Sequence, residues 1–333
     1  MAIGSGLGSQ LGFSAETTWG TRVAPTKFLR AKTSQLTRAE QRVQGEGLQA
    51  GVLGQQGAHY VEVTEAGTGN FAIDVTPVGI GLLLQALTGG TSTIVQQAAT
   101  AAWLQTHTLG GDLKSLTVQA GVPYRGGTVY CEELTGAKMT GGEFSCDAAG
   151  ILGATFNLDA KKWDNTQTLA AASYGAQPAL PVFHGKHMAV KLGTFGAEAA
   201  VGGVRSMSLN LTNALDTEDY TAGSTGLKAE PVRNGFATIT GNATVDWTTG
   251  TKTAFEDPRV ANTQPSLVWE FVGPIIAAAN AWALRFTIPG IILTGDSPGV
   301  GGPGEITVQY GWEWRYDGTN SPTITLMSTD TAL

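Results

Sequence analysis

The sequence predicts an all-β chain with one or two short helices, built as two tandem copies of a single β domain. Three observations carry that prediction. The stretch Gly69-Asn70-Phe71-Ala72-Ile73-Asp74-Val75-Thr76 recurs as Gly241-Asn242-Ala243-Thr244-Val245-Asp246-Trp247-Thr248. Both copies alternate with period two. Phe71, Ile73 and Val75 fall on one face, with Asn70, Ala72, Asp74 and Thr76 on the other. In the second copy Ala243, Val245 and Trp247 oppose Asn242, Thr244, Asp246 and Thr248. A strand with one buried and one wet face reads this way. Composition agrees: Gly makes up 46 of 333 residues and charged residues only 14%, against ~7% and ~25% in ordinary globular chains. That balance points to strands, many turns and a surface partly committed to partners.

The repeat continues downstream. Ser115-Leu116 returns as Ser266-Leu267, Gly136 to Gly141 as Gly290 to Gly295, and Ala154 to Leu158 as Ile306 to Tyr310. The blocks keep their order, and their spacing places extra residues in the first copy, at 91–107. One block alone is weak; four in register indicate a duplicated unit. A chain of this length accommodates about two domains. The expected boundaries are an N-terminal arm at 1–25, a first copy at 26–163, a linker rich in Ala, Gly and Pro at 164–181, and a second copy at 182–333.

In chain order, Gly6-Leu7-Gly8-Ser9 and the polar and aromatic residues after it read as an arm that docks on something, since it cannot make a core alone. Residues 31–36 and 59–64 are strand-like, with a long loop between them over 44–57. Thr76 as N-cap, Pro77 at the first helical position and Gly89-Gly90 past the end specify an apolar helix over 78–87. The second copy offers only a shorter one, Lys252 to Glu256, ahead of Pro258. Residues 113–120, 128–140 and 143–163 supply the other strands of copy one. In copy two, 204–211 alternates as a strand and 216–230 is a second polar loop in the place of 40–58. The final strand, 323–327, is expected to add to a neighbouring subunit.

A net charge of −7 argues against tight phosphate binding on the outer surface. No apolar run approaches the ~20 residues of a membrane span, and no signal-peptide pattern opens the sequence. Cys131 and Cys146 fit neither a disulfide scaffold nor a zinc site; the hairpin they flank leaves room for them to lie near one another, and free thiols are expected. His184 and His187 have no acid or thiol at ligand spacing. Asp74 and Asp246 are equivalent polar-face residues and not an acid–base pair, and Glu132-Glu133 reads as a solvated pair. Nucleophile elbow, Walker loop and dinucleotide fingerprint are all missing. The run Trp312-Glu313-Trp314-Arg315-Tyr316 reads as a strand end packed in a core or subunit seam. No catalytic, cofactor-binding or metal residue is expected.

The Gly-rich opening, the segment Glu16-Thr17-Thr18-Trp19-Gly20-Thr21, Pro25 and the β domain behind them resemble the major tail tube proteins of long-tailed (siphovirus-type) bacteriophages. The resemblance covers the whole chain, and the opening segment is its most specific part. It implies tandem tail-tube β-sandwich or barrel domains, each giving about four strands to a large oligomeric β-barrel with its polar face inward. It implies a virion tail subunit, assembled in the host cytoplasm into stacked rings. The implied partners are further copies of itself, the tape-measure protein, tail terminator and distal tail proteins. Double-stranded DNA would pass through without sequence-specific binding, and no membrane, cofactor or enzymatic activity is implied.

With duplication, three chains supply six domains, giving a trimeric ring with pseudo-sixfold symmetry; a homohexamer is the alternative. Six domains of four strands, at ~4.8 Å spacing and ~40° tilt, close at a diameter of roughly 48 Å, leaving a bore wider than a DNA duplex. The lumen-facing residues expected are Asn70, Asp74, Thr76, Asn242, Asp246 and Thr248. A phage adhesin or capsid-decorating β module is the competing reading, but it should lack the opening segment and stay a discrete oligomer. A glycan-active enzyme would need paired carboxylates in a groove.

Overall fold

The alternating stretches become strands arranged in two antiparallel sheets that share one apolar core. The computed structural model describes residues 5–124, 129–175 and 177–333. The first half contains β1 (Gln10–Ala15), β2 (Lys27–Leu29), β3 (Ala31–Gln44), β4 (Tyr60–Asp74), β5 (Gly89–Gln96) and β6 (Trp103–Leu109). It continues with β7 (Leu116–Pro123), β8 (Val129–Asp147), β9 (Gly153–Ala160) and β10 (Lys162–Asp164). The second half contains β11 (Met188–Gly193), β12 (Ala199–Val201), β13 (Val204–Thr212), β14 (Thr238–Asp246) and β15 (Ser266–Ala277). It ends with β16 (Asn280–Ile288), β17 (Ile291–Thr294), β18 (Thr307–Trp314) and β19 (Thr323–Ser328).

The backbone of the larger sheet is the run β3-β4-β9-β8-β13-β14-β18-β17, antiparallel throughout. The repeated stretch forms β4 and β14, each second in a group of four strands. Asn70 lies between Gln35 and Asn157, and Asn242 between Ser208 and Gly311. The strand before each carries a bulge at the same point, between Ala31 and Thr33 on β3 and between Val204 and Ser206 on β13. The second sheet runs β12-β11-β15-β16-β19-β6-β5. Phe71, Phe144, Phe156, Trp269 and Phe286 fill the space behind the first sheet at full burial.

One long strand, β8, serves two sets of neighbours. Its first part pairs with β7 and β10, its second with β9 and β13. Gly136, at φ +69°, sits between them, and Gly290 occupies the corner between β16 and β17 at φ +72°. Only glycine adopts this left-handed conformation without steric cost. At Gly136 a Cβ would also stand 2.9 Å from the Lys161 side chain.

The Glu16–Thr21 segment clasps that corner. Buried Glu16 accepts from the Gly136 amide at 2.7 Å, the Thr117 hydroxyl at 2.9 Å and the Gly20 amide at 2.9 Å. The Trp19 indole N–H donates to the Gly136 carbonyl at 3.1 Å, and Lys161 lies 4.7 Å from the centre of the Trp19 ring. Replacing Glu16 with Ala strands two buried donors, since the methyl group accepts nothing. The expected loss is about 3 kcal/mol of stability, read as a lower urea midpoint with an unchanged slope.

Several sequence expectations are corrected by these contacts. The opening stretch is not an external arm over its described residues: β1 pairs with β2 and β7, and Leu11 and Phe13 are completely buried. Residues Met1–Gly4 of that expected arm, and 125–128, lie outside the described residues. The region expected as a linker is anchored: Gln10 donates to the Ala170 carbonyl, and the Ala170 amide to Gln119. The extra segment of the first half forms the β5–β6 hairpin, and β6 pairs with β19 at the far end of the chain. The two halves therefore do not have separate cores. The final strand β19 finds its partners, β16 and β6, within its own chain.

Helix α1 (Gly81–Thr88) starts later than expected. Ile80 is its N-cap, while Gly89 ends it in the left-handed conformation as expected. The second helical segment runs on past Pro258, from α2 (Thr249–Thr251) through one π-helical turn (Lys252–Glu256) into α3 (Asp257–Ala261). Pro258 follows directly on that π-helical turn, near the start of α3. Cys131 and Cys146 are free thiols but lie toward opposite ends of one strand, β8, instead of close together. Glu133 is fully buried, not solvated. Arg22 donates to it at 2.6 and 3.0 Å and Gln119 at 2.8 Å.

Candidate functional site

In an antiparallel pair, residues directly opposite share a face, so the strand registers define one surface across the eight-stranded run. From β4 it carries Thr68, Asn70, Ala72 and Asp74, and from β9 Thr155 and Asn157. Glu143, Ser145 and Asp147 of β8 continue it into Ser206, Ser208 and Asn210 of β13. Thr240, Asn242, Thr244 and Asp246 of β14 then meet Thr307 and Gln309 of β18. Every one of these side chains is short and polar except Ala72, Gln309 and Glu143. The opposite face of the same strands holds Phe71, Phe144, Phe156, Met207, Leu209, Val245 and Tyr310, all buried. The sheet thus has one dry side and one continuous polar side.

The expected site residues separate on this surface. Asn70 and Asn242 are exposed upon it, and Asp74 and Asp246 are half-buried within it. Thr248 is exposed just past β14, where its hydroxyl accepts from the Thr251 amide at 3.2 Å and caps the helix. Thr76 does not reach the face. It lies beyond the end of β4, buried, with its hydroxyl donating to the Val78 carbonyl at 3.2 Å. The strand ends at Asp74, so the alternation that would have exposed Thr76 has already stopped.

Neither aspartate is a bare charge. Lys32 stands 3.0 Å from Asp74, and Arg205 pairs with Asp246 and with Glu305. Lys32 and Arg205 are the bulge residues of β3 and β13, where the extra residue lets a long cation reach across to the next strand. The carboxylates on the face without an ion pair among the described residues are Glu143 and Asp147 of β8, both exposed. Sequence reading missed these two, together with Ser206, Ser208, Asn210 and Gln309. The signal was present: each sits in a stretch where polar residues alternate with large apolar ones.

One end of the face is covered. The 216–230 loop folds back over it, with Lys228 against Asp159 at 2.5 Å and Lys138 against Glu230 at 2.7 Å. The Glu65 amide donates to the Gly226 carbonyl at 2.9 Å, tying the same loop to β4. On the other side of it, β3 and β4 run on as a long hairpin on which Val43, Tyr60, Val61 and Val63 are exposed. His184 and His187 stack at 3.8 Å, and no group of three His, Cys, Asp or Glu side chains suited to a metal occurs among the described residues. Likewise no helix among them is long and apolar enough to cross a membrane.

A broad polar sheet face, an apolar core behind it and an open strand at each end of the run, β3 and β17, define a structural subunit built for self-assembly. The family model described as phage tail tube protein matches residues 6–313, and the chain belongs to that family. It is a structural subunit of the phage tail tube, and its place is the virion tail. None of the curated proteins matches the chain.

Proposed function

We propose that three copies close into a ring with pseudo-sixfold symmetry, and that rings stack into the conduit for genome ejection in a siphovirus-type tail. The observation that carries this reading is the eight-stranded run itself: two groups of four strands in the same order, joined edge to edge at β8 and β13, with one shared polar face. Three such runs give 24 strands, hence a barrel roughly 48 Å across at the backbone. In this reading 26–163 and 182–333 are two copies of one tube unit, and the β5–β6 hairpin is an insertion of the first copy lodged beside the second.

The apolar side must stay in the core, because burying each large side chain is worth roughly 1.5–3 kcal/mol. The polar side then forms the lumen, with Asn70, Asp74, Asn242, Asp246 and Thr248 on or beside it and Thr76 excluded. Double-stranded DNA and the tape-measure protein pass along it, and the tube ends meet the tail terminator and distal tail proteins. Assembly takes place in the host cytoplasm. Counting chains per ring by symmetry analysis of tube images tests the proposal. Three chains are expected; six chains, each lining the bore with one unit, would overturn it.

A further inference from the structure

The eight-stranded run ends on two open edges and contains its own example of how such edges join. In the middle of the run, β8 closes the first group of four and pairs with β13, which opens the second. At the ends, β17 closes the second group and β3 opens the first. Direction alternates along the run, so β17 of one copy and β3 of another meet antiparallel, as β8 and β13 do.

We propose that residues 294–301 of one copy fold as a continuation of β17 onto β3 of the next copy, in the register of the internal β8–β13 seam. This rests on the tube reading above and specifies the surface through which a ring closes. The register follows from equivalent positions. Gln35 and Ser208 lie opposite Asn70 and Asn242, respectively. On their other side those asparagines face Asn157 and Gly311, which in turn face Gly141 and Thr294. The internal seam sets Gly141 opposite Thr212, Glu143 opposite Asn210, Ser145 opposite Ser208 and Asp147 opposite Ser206. Transferred to the outer edges, Thr294 falls opposite Ala39, Asp296 opposite Thr37, Pro298 opposite Gln35 and Val300 opposite Thr33.

Three features of the chain fit this pairing. A groove of about 970 Å³ runs beside the open edge of β3, lined by Arg30, Lys32 and Ser34 on one side and by Val122, Pro123 and Tyr174 elsewhere. Among the described residues the incoming segment, 295–300, has no partner strand, whereas its counterpart 142–147 is a paired strand. The Ser297 hydroxyl donates to Glu256 at 3.0 Å and accepts from Arg259 at 2.8 Å, which holds the segment beside the helical turn.

The third feature is Pro298 itself. At the ends of the internal seam the Ala148 amide donates to the Arg205 carbonyl at 2.7 Å and the Asn213 amide to the Thr140 carbonyl at 2.8 Å. Counting alternately from those bonds, Ser145–Ser208 and Glu143–Asn210 are non-hydrogen-bonded positions. Pro298 takes the place of Ser145, so its missing N–H removes no bond from the seam. Gly301 takes the place of Ala148 and donates to the Lys32 carbonyl.

Paired cysteines test the register. Non-hydrogen-bonded partners have Cα atoms about 4.5 Å apart, within disulfide reach. The native thiols of Cys131 and Cys146 are buried and pushed up to about 11, which keeps them inert. Oxidised tubes of the Thr37→Cys/Asp296→Cys variant should run as covalent trimers on non-reducing denaturing gels. Each single variant, and the shifted pair Thr37→Cys/Pro298→Cys, should run as monomers. In the unsubstituted chain, hydrogen exchange of the 295–301 amides should slow on assembly. Tubes that form normally without the cross-link or the protection would overturn the seam and leave the tube reading standing. A chain that forms neither rings nor tubes overturns both, and a covalent ladder ending at six supports the seam while overturning the count of three.

Discussion

Replacing Lys228 with Met should destabilise the chain by about 3–5 kcal/mol, because it leaves the Asp159 carboxylate buried without its counter-charge. Both side chains are almost completely sealed, at 3% and 6% exposure, and Lys228 also donates to the Thr217 carbonyl at 3.2 Å. Burial already raises the Asp159 pKa, with Lys228 pulling it back down. Without Lys228 it rises further. A carboxyl whose folded pKa is raised favours the native state below its unfolded pKa, and that advantage is lost as pH rises through the folded value. The deficit of the variant against the natural chain should therefore be largest at neutral pH and shrink as Asp159 takes up a proton. Urea unfolding of the unassembled chain at pH 7 and about pH 5 measures it. The Lys228→Met/Asp159→Leu double variant should recover most of the loss, since replacing both partners removes the unpaired charge. A single variant within ~1 kcal/mol of the natural chain at both pH values would mean that water reaches Asp159.

The contrast between what could be read from the sequence and what could not is physical. Strand alternation and the glycines at 136 and 290 act over a few residues, so the matching stretches that form β4 and β14 were legible in the sequence. Glu133 was misread because what buries and pairs it, Arg22, lies 111 residues away. The β5–β6 hairpin looked like a plain insertion because its partner β19 is near the other end of the chain. On the polar face, the two aspartates were legible but their neutralisation was not. It depends on bulges that place Lys32 and Arg205 across from them, although the matching triplets Ala31-Lys32-Thr33 and Val204-Arg205-Ser206 carried the hint. The Glu16–Thr21 segment stood out in the sequence, while its job of holding the Gly136 corner needed the fold.

Reversing the charge of Glu143 and Asp147 should block genome passage while leaving the tube able to assemble. These are the carboxylates that face the proposed lumen without an ion pair among the described residues, and both are exposed at the middle of the eight-stranded run. Asp74 and Asp246 are the wrong positions for this experiment. Lysine there would stand beside Lys32 or Arg205, so a defect would report lost pairing and like-charge repulsion instead of the bore. In the proposed lumen, unpaired carboxylates would repel DNA phosphates and let the duplex slide. Lysines in their place, repeated around every ring, hold phosphates by releasing condensed counterions, and that grip weakens steeply with salt. Virions carrying Glu143→Lys/Asp147→Lys should contain tails of normal length yet plate roughly a hundredfold less efficiently, with ejection in vitro partly restored as salt is raised. The neutral pair Glu143→Gln/Asp147→Asn should stay close to the natural chain, because it removes repulsion without adding grip. Normal plating by the lysine variant would sink the lumen assignment of this face, and a plating defect that salt does not relieve would place the fault in structure and not in contact with the genome.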